Sequence, residues 1–201
     1  MEFFEKAYQE RPPWDIGRPQ QEIVRLEETG QITGTVLDVG CGTGDNALFL
    51  ARCGHDVVGL DSVERAIEAA RRKADERGLS ATFIRGEILS LREIGRTFDT
   101  VIDSGLFHTL SDNERLLFVR NLHEVLVPGG SYFMLAFSDL EPAGYGPRRI
   151  TKQEIQIRFR TDGGSTGSRL QSLRAVRERK DPEHGSRPLH GCETMICTIG
   201  R

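Results

Sequence analysis

The segment VLDVGCGTG at residues 36–44 limits the possible folds of this chain more than any other part of the sequence. A short apolar run leads into glycines at alternate positions, and a helix-forming stretch begins at Asp45. Glycine lets the backbone turn tightly and lie against a ligand where a Cβ atom would collide. The first amides of the following helix carry a partial positive charge, which suits a carboxylate or a phosphate. The segment therefore predicts a strand, a ligand-binding loop and a helix in direct succession.

A second apolar run, residues 56–60, is followed by Asp61, which lies 21 positions after Gly40. An acid at the end of a second strand, at about this distance, can accept hydrogen bonds from both hydroxyl groups of a ribose. Together, the glycine loop and this acid predict a βαβ unit that binds a cofactor containing a nucleoside.

The glycine spacing distinguishes between classes of such cofactor. In the dinucleotide fingerprint the third glycine follows the second by three residues, whereas Gly40, Gly42 and Gly44 alternate here and Asp38 precedes them. An aspartate would repel a pyrophosphate but would stabilise the ammonium or the sulfonium of S-adenosylmethionine. The string VLDVGCGTG resembles motif I of the class I S-adenosylmethionine-dependent methyltransferases. The resemblance implies S-adenosyl-L-methionine as the cofactor and S-adenosyl-L-homocysteine as its product.

Predicted strands and helices alternate as far as residue 137, which is typical of a parallel sheet covered on both faces. The resemblance adds a closing antiparallel hairpin, and residues 194–199 are its predicted last strand. We therefore predict an α/β, doubly wound, Rossmann-like fold with a mostly parallel sheet of about seven strands and helices on both faces. The first five predicted strands span residues 35–39, 56–60, 81–85, 98–103 and 131–137.

Short polar residues predict where the helices begin. Ser62 is expected to cap the helix after the second strand. Ser111 with Glu114, and Thr151 with Glu154, have the spacing of capping boxes. A turn at residues 127–130, Val-Pro-Gly-Gly, is expected to separate the second of these three helices from the fifth strand.

Three regions are predicted along the chain. Residues 1–30 form an N-terminal cap segment, and residues 31–160 form the core that binds the cofactor. Residues 161–201 are rich in glycine, serine and charge, and their amphipathic periodicity is poor. Two interpretations of this tail stay open: a divergent, partly disordered segment that closes the sheet, or a local shift of the reading frame.

The resemblance also implies the roles of individual residues. The alternating glycines would line the methionine part of the cofactor, with Asp38 near its ammonium group, and Asp61 would hold the ribose. Glu87 would accept from the exocyclic amine of adenine, although the family more often has aspartate there, and Ile88 would pack on the ring. The implied cofactor-binding residues are Asp38, Gly40, Cys41, Gly42, Thr43, Gly44, Asp61, Ser62, Gly86, Glu87, Ile88, Asp103 and Ser104.

The segment after the fourth strand should face the transferred methyl group, because open α/β sheets bind ligands beyond the carboxyl ends of their strands. Methylases of bases and of glutamine have Asn/Asp-Pro-Pro-aromatic here, whereas this chain has Asp-Ser-Gly-Leu from Asp103. His108 is the candidate general base, and a packing role is the alternative. No metal is predicted, although Asp103 with Asp139 offers oxygen ligands of the kind that Mg²⁺ prefers.

The N-terminal segment Pro12-Pro-Trp-Asp-Ile-Gly17 resembles the thiopurine, thiol and halide methyltransferase group, in which an N-terminal cap closes over the cofactor. Tyr8, Trp14 and Arg148 are therefore candidate substrate and cap residues. Two alternatives are open: Trp14 anchors its segment by burial, and Arg148 is an ordinary loop residue. The resemblance favours a sulfur acceptor, and thiolates need no strong catalytic base.

Composition excludes several other functions. The net charge is −3 and the basic residues of the first two thirds are dispersed, which disfavours a nucleic-acid substrate. No apolar run reaches the roughly 18 residues of a membrane span, and the first residues lack the pattern of a signal peptide. The spacing of the four cysteines fits neither a zinc site nor a disulfide framework, so we expect a cytoplasmic protein. The oligomeric state is left open.

The sequence as a whole predicts methyl transfer from S-adenosylmethionine to a small-molecule acceptor, with a sulfur nucleophile favoured. An O-methyltransferase of a small phenol or acid is one alternative, and a non-catalytic module that binds S-adenosylmethionine is another. A nicotinamide-dependent oxidoreductase is disfavoured by the glycine spacing and by Asp38.

Overall fold

The computed structural model of the chain describes residues 2–139 and 146–159, together with the backbone of two strands at 169–177 and 193–200. Two short 3₁₀ turns lie at Leu91–Ile94 and Phe107–Thr109. The helices and strands are α1 (Glu2–Ala7), α2 (Gln21–Glu28), β1 (Thr35–Val39), α3 (Asp45–Arg52), β2 (Asp56–Asp61), α4 (Glu64–Arg77), β3 (Thr82–Arg85), β4 (Phe98–Ser104), α5 (Asp112–Val125), β5 (Leu126–Leu135), α6 (Lys152–Phe159), β6 (Arg169–Arg177) and β7 (Glu193–Gly200).

Five parallel strands form the main sheet, in the order β3-β2-β1-β4-β5. The chain moves outward from β1 to β3, and then returns to the other side of β1 to form β4 and β5. The strand order therefore reverses beside β1. Ligands of open α/β sheets bind at such a position. The α/β, Rossmann-like fold that the sequence predicts is confirmed.

The predicted count of about seven strands in this sheet is wrong. β6 and β7 pair with each other as an antiparallel, two-stranded sheet, because their backbone hydrogen bonds join the two strands of this hairpin. The strand predicted at residues 194–199 is present as β7. Partial disorder is predicted for the tail at residues 161–201, of which residues 161–168, 178–192 and 201 lie outside the described residues.

Helices cover both faces of the main sheet, so successive side chains of a strand enter different cores. Leu37 and Val39 lie in an apolar cluster with α5 and α6, whereas Val36 lies in a second cluster with α2, α3 and α4. All three are fully buried. β1 is thus buried on both faces, which explains its continuous apolar sequence. In the described part of the chain, no helix combines the length and apolar character that a membrane crossing requires.

The fifth strand begins earlier than predicted. β5 starts at Leu126, so the expected turn at residues 127–130 is part of the strand. Leu126 pairs with Phe98 and Ser131 pairs with Thr100, and the register shifts between these two pairs. A bulge of this kind tolerates Pro128, which has no amide hydrogen to donate to a neighbouring strand.

The predicted start of α4 is wrong, whereas that of α5 is confirmed. The N-cap of α4 is Val63, and no side chain caps it, so the prediction for Ser62 is wrong. The Asp61 carboxylate accepts from the amide of Val63, the N-cap residue itself, at 2.9 Å. The capping box of α5 is confirmed: Ser111 Oγ accepts from the Glu114 amide, and the Glu114 carboxylate accepts from the Ser111 amide at 2.7 Å.

The capping box predicted for α6 is only half formed. Thr151 Oγ1 accepts from the Glu154 amide at 3.0 Å, as expected for the first half. The Glu154 carboxylate accepts from Arg115 and Arg148. An acid that pairs with two cations is held away from the weaker backbone interaction.

Gly44 and Gly78 provide a matched test of the loop that follows β1. Both have positive φ, +81° and +60°, but a Cβ atom at Gly44 would lie 2.8 Å from the Phe83 ring and 2.9 Å from Ala70 Cβ, whereas Gly78 has open space. We expect Gly78→Ala to lower the free energy of unfolding by about 1–2 kcal/mol through backbone strain, and Gly44→Ala to lower it clearly more. Urea unfolding measures both values, and equal losses would contradict the described packing of the loop.

Candidate functional site

The loop after β1 is shaped by glycines that no other residue could replace without strain. Gly40, Gly42 and Gly44 have φ values of +68°, +54° and +81°. The amides of Gly40 and Cys41 both donate to the Leu60 carbonyl, at 2.8 and 3.0 Å. The loop is therefore fixed across the carboxyl end of β2, and the first turn of α3 lies directly behind it.

Asp61 joins three segments around this loop. Its carboxylate accepts from the Gly42 amide and the Val63 amide, both at 2.9 Å, and its carbonyl accepts from the Gly86 amide at 3.0 Å. Burial raises the pKa of Asp61, and the amide donors oppose part of that shift. An ionised carboxylate has about four acceptor positions, so it can accept from other donors in addition to these amides. Two ribose hydroxyl groups are donors that fit this capacity.

Asp38 is the least expected feature of the site. The residue is 1% exposed, and within the described residues neither carboxylate oxygen has a hydrogen bond of normal geometry. Burial, with the nearby Asp103 and Asp61, raises its pKa to about 8, and the Ala47 amide opposes only part of the shift. A buried carboxylate without a partner is costly. An ammonium group would supply both the hydrogen bonds and the opposite charge, so Asp38 fits the amino group of S-adenosylmethionine.

Asp103 holds the segment after β4. Its carboxylate accepts from the Leu106 amide at 2.8 Å, the Phe107 amide at 3.1 Å and the Tyr132 hydroxyl at 2.8 Å. Burial raises its pKa to about 7. No cluster of three or more metal-ligating side chains is present among the described residues. The hydrogen bonds of Asp103 fix the path of the backbone after β4. Ser104, at the end of β4, is half-buried.

The two loops meet at Leu106. A Cβ atom on Gly40 would lie 3.1 Å from Leu106 Cβ, so the glycine loop and the segment after β4 are in contact. Asp38, Asp61 and Asp103 consequently surround one region at the carboxyl ends of β1, β2 and β4. Burial raises the pKa of all three acids, so a cationic ligand, which favours their ionised forms, suits this region and a pyrophosphate does not.

His108 is packed against the end of β5. The residue is 9% exposed, and its ring is stacked on Phe137, with centroids 5.2 Å apart and an interplanar angle of 8°. The Phe137 amide donates to Nδ1 at 3.3 Å. Burial, with the charges of Arg115 and Arg149, lowers the pKa of His108 to about 4. The imidazole is therefore neutral at pH 7 and has one nitrogen occupied.

The N-terminal segment is fastened to the glycine loop. A Cβ atom on Gly42 would lie 2.7 Å from the Tyr8 hydroxyl, and Trp14 Nε1 donates to that hydroxyl at 3.2 Å. Thr43 Oγ1 donates to the Asp15 carboxylate at 2.9 Å. Trp14 is 41% exposed, which does not fit an anchor that acts by burial. The structure therefore brings Tyr8 and Trp14 to the loop, as a cap would require.

The other predicted site residues, Glu87, Ile88 and Arg148, lie in different parts of the structure. Glu87 is exposed and Ile88 is half-buried against the core in the segment after β3. Arg148 pairs with Asp112 at 2.9 Å and with Glu154. These partners lie on α5 and α6, so the structure does not bring Arg148 to the cap residues with which it was predicted.

Sequence reasoning missed two residues of the site. Tyr132 lies inside β5 and reaches Asp103, and a tyrosine in an otherwise apolar strand is a signal for such a buried hydrogen bond. Arg115 is fully buried in α5 and contacts the backbone of the segment after β4. The charged sequence around Arg115 is that of an exposed helix face and gives no such signal.

An open cleft of about 610 Å³ lies between the N-terminal segment and α4. Tyr8, Asp15 and Thr43 line it on one side and Glu64 and Arg72 on the other, but neither Asp38 nor Asp61 does. The buried carboxylates therefore locate the candidate site better than the volume of this cleft does.

Known proteins resemble the chain over the same region. The profile of the Methyltransferase domain family matches residues 36–130. A 2-heptyl-1-hydroxyquinolin-4(1H)-one methyltransferase of Mycobacteroides abscessus is 40% identical over 149 residues, which are 73% of this chain and 66% of that protein. Probable thiol methyltransferase 2 of Arabidopsis thaliana is 31% identical over 146 residues, 72% of this chain and 65% of that protein. The chain thus spans about two thirds of the length of these curated relatives.

A solved structure extends the similarity to the whole chain. It comes from work on the conversion of a disulfide bond into a thioacetal group during echinomycin biosynthesis. Its sequence identity is 35%, and the match covers 100% of this chain and 92% of that one with a TM-score of 0.84.

The substitution Asp38→Asn tests the role of the unpaired carboxylate. Because the folded-state pKa of Asp38 lies above its unfolded value, this group costs stability as the pH rises from about 4 to about 8. We expect the cofactor-free variant to melt at a higher temperature than the wild type at pH 8.5, with little difference at pH 4. S-adenosylhomocysteine should stabilise the wild type by about 2.7 kcal/mol at a hundredfold excess over Kd, and the variant much less.

Asp99→Asn is the matched control for this measurement. Hydrogen bonds from Thr35 lower the pKa of Asp99, so its removal should destabilise the protein at neutral pH and leave the response to S-adenosylhomocysteine intact. An unchanged ligand response in Asp38→Asn would contradict the assigned role of Asp38.

Proposed function

This chain belongs to the class I S-adenosylmethionine-dependent methyltransferases, and from that premise we propose that it methylates a sulfur atom of a small-molecule acceptor. One observation carries the choice of nucleophile. Asp103 at the end of β4 and His108 in the segment after it are both engaged in hydrogen bonds within the protein. An acceptor that needs a strong base to remove its proton is poorly matched to such a site.

The lowered pKa of His108 argues against its service as that base. The transfer of a proton from a thiol, with a pKa of about 8.5, to a group with a pKa of about 4 is strongly unfavourable. The transfer from a phenol, with a pKa of about 10, is more unfavourable still. The acceptor must therefore arrive as an anion. We propose a packing role for His108, which holds Phe137 at the end of β5.

Thiols meet this requirement better than phenols. A few per cent of an ordinary thiol is thiolate at neutral pH, and the thiolate is intrinsically very nucleophilic. The thiol methyltransferase relative and the solved structure from work on a disulfide and a thioacetal support a sulfur acceptor. The relative named for a hydroxyquinolone supports the second candidate, a hydroxyl group that ionises readily.

The cofactor supplies a methyl group on a positively charged sulfur atom. We propose that Asp38 holds its ammonium group and that Asp61 accepts from its ribose hydroxyl groups, since each carboxylate has unused acceptor positions. Exposed Glu87 and half-buried Ile88 are proposed for the adenine edge. The other proposed contacts come from Gly40, Cys41, Gly42, Thr43, Gly44, Ser62, Gly86, Asp103 and Ser104.

Rate acceleration then comes from positioning and from the exclusion of water. Methyl transfer requires the nucleophile to lie close to the methyl carbon and in line with the leaving sulfur. We propose that residues 1–30 act as a cap on the core at residues 31–160, with Tyr8 and Trp14 over the glycine loop. Their hydrogen bond and the Asp15–Thr43 hydrogen bond hold the cap in place. A closed cap would keep water from the thiolate.

A panel of acceptors tests the proposal. The protein is incubated with S-adenosylmethionine and thiophenol, an alkyl thiol, phenol or an N-hydroxy heterocycle, and the methylated product is identified by mass spectrometry. We expect thiols to be methylated with the highest kcat/KM, and its pH profile to follow the pKa of each acceptor. Turnover of phenol above all thiols would contradict the proposal. Binding of S-adenosylhomocysteine without turnover of any acceptor would point to a non-catalytic module.

His108→Gln is the variant that separates packing from base catalysis. We expect kcat with thiophenol to stay within about threefold of the wild type, because glutamine can still accept from the Phe137 amide. A general base contributes about 10²–10⁴-fold, so a loss of that size with a changed pH profile would restore His108 as the base.

A further inference from the structure

Building on the proposed function, we propose that Arg115 is a positioning residue that sets the shape of the acceptor-facing segment and couples it to α6. The segment is defined as Ser104–Leu110, the residues between β4 and α5. Leu106 of this segment contacts the glycine loop at Gly40, and the residues after it lead away from β4 towards α5. The proposed acceptor would face this segment, because ligands of open α/β sheets bind beyond the carboxyl ends of the strands.

Arg115 is 0% exposed, and each part of its guanidinium has a partner. Nε donates to the Phe107 carbonyl at 3.0 Å and Nη2 to the His108 carbonyl at 3.3 Å. Nη1 pairs with Glu154 of α6 at 2.6 Å. The guanidinium carbon also lies 5.2 Å from the centroid of the Phe107 ring. A buried cation with this many contacts fixes its neighbours, because the loss of any of them leaves the charge poorly solvated.

The segment is thus held by opposite charges on opposite sides. Asp103, fixed in the sheet, accepts from the amides of Leu106 and Phe107. Arg115, fixed in α5, donates to the carbonyls of Phe107 and His108. Because a carboxylate accepts from its amides and a guanidinium donates to its carbonyls, this short stretch of backbone has little conformational freedom. The positions of Leu106 and His108 then follow from these two side chains.

Glu154 extends the same arrangement to α6. Its carboxylate pairs with both Arg115 and Arg148, and Arg148 also pairs with Asp112 at the start of α5. A displacement of α6 would therefore move Arg115, and with it the backbone of the segment. In contrast, Leu60 and Asp61 hold the glycine loop, and neither contacts Arg115 among the described interactions. Changes at Arg115 or Glu154 should alter acceptor recognition while cofactor binding persists.

Three variants test this role: Arg115→Lys, Glu154→Gln and the control Arg158→Gln. Lysine keeps the charge but cannot bond two carbonyls and a carboxylate with a planar fork. Glutamine leaves Arg115 in place but removes its charged partner. Arg158 pairs with Asp112 in the same network at 3.4 Å without a hydrogen bond to the segment. Its substitution therefore controls for a general loss of surface charge.

The readouts are the KM for the best acceptor of the panel, the thermal shift with S-adenosylhomocysteine, and hydrogen–deuterium exchange. We expect Arg115→Lys and Glu154→Gln to raise the acceptor KM about tenfold, the loss typical of one hydrogen bond to a charged group. Amides of residues 104–110 should exchange at least about tenfold faster, and those of residues 40–44 at the wild-type rate. Arg158→Gln should match the wild type in every respect.

Equal protection of residues 104–110 in all three variants would overturn the proposal, as would a parallel loss of the S-adenosylhomocysteine shift. The exchange measurement needs no acceptor. If the wild type fails to methylate thiols, the proposed sulfur specificity fails, while the exchange rates still decide the role of Arg115.

Discussion

The site depends on a buried carboxylate, Asp38, for which the described residues supply no hydrogen bond of normal geometry. Asp38 lies inside the central strand, and Asp61 and Asp103 add negative charge beside it. A fold gains nothing from such a group alone, because burial without hydrogen bonds is costly. The arrangement becomes favourable when a cation occupies the crevice. The loop geometry and the positions of the other two acids are best understood as the surroundings of that cation.

The opposite side of the crevice has the opposite electrostatic character. Burial, and after it the charges of Arg115 and Arg149, lower the pKa of His108, and under the proposed function these two cations would favour negative charge on the acceptor. The cationic cofactor would then bind on the side of the acids, and the anionic nucleophile on the side of the arginines. The division explains why the site can work without a free base. It also gives Asp103 a consistent role, since its hydrogen bonds hold the backbone between the two sides.

Sequence patterns predicted the features that depend on residues close to each other in the chain. The strand and glycine loop at residues 36–44 and the capping box at Ser111 depend mostly on neighbours close in sequence, and the structure has both. The properties of His108 could not be predicted, because they arise from stacking on Phe137, which is distant in the chain. The Ser62 cap failed because α4 begins one residue later than predicted, with Val63 as its N-cap.

Calorimetry of S-adenosylmethionine binding at pH 7, in buffers of different ionisation enthalpy, tests the central claim most directly. With a pKa of about 8, Asp38 is roughly nine-tenths protonated at this pH before the ligand binds. Pairing with an ammonium group should ionise it, so binding is expected to release about 0.9 proton, and the release should vanish in Asp38→Asn. Binding heats that do not depend on the buffer would contradict the account.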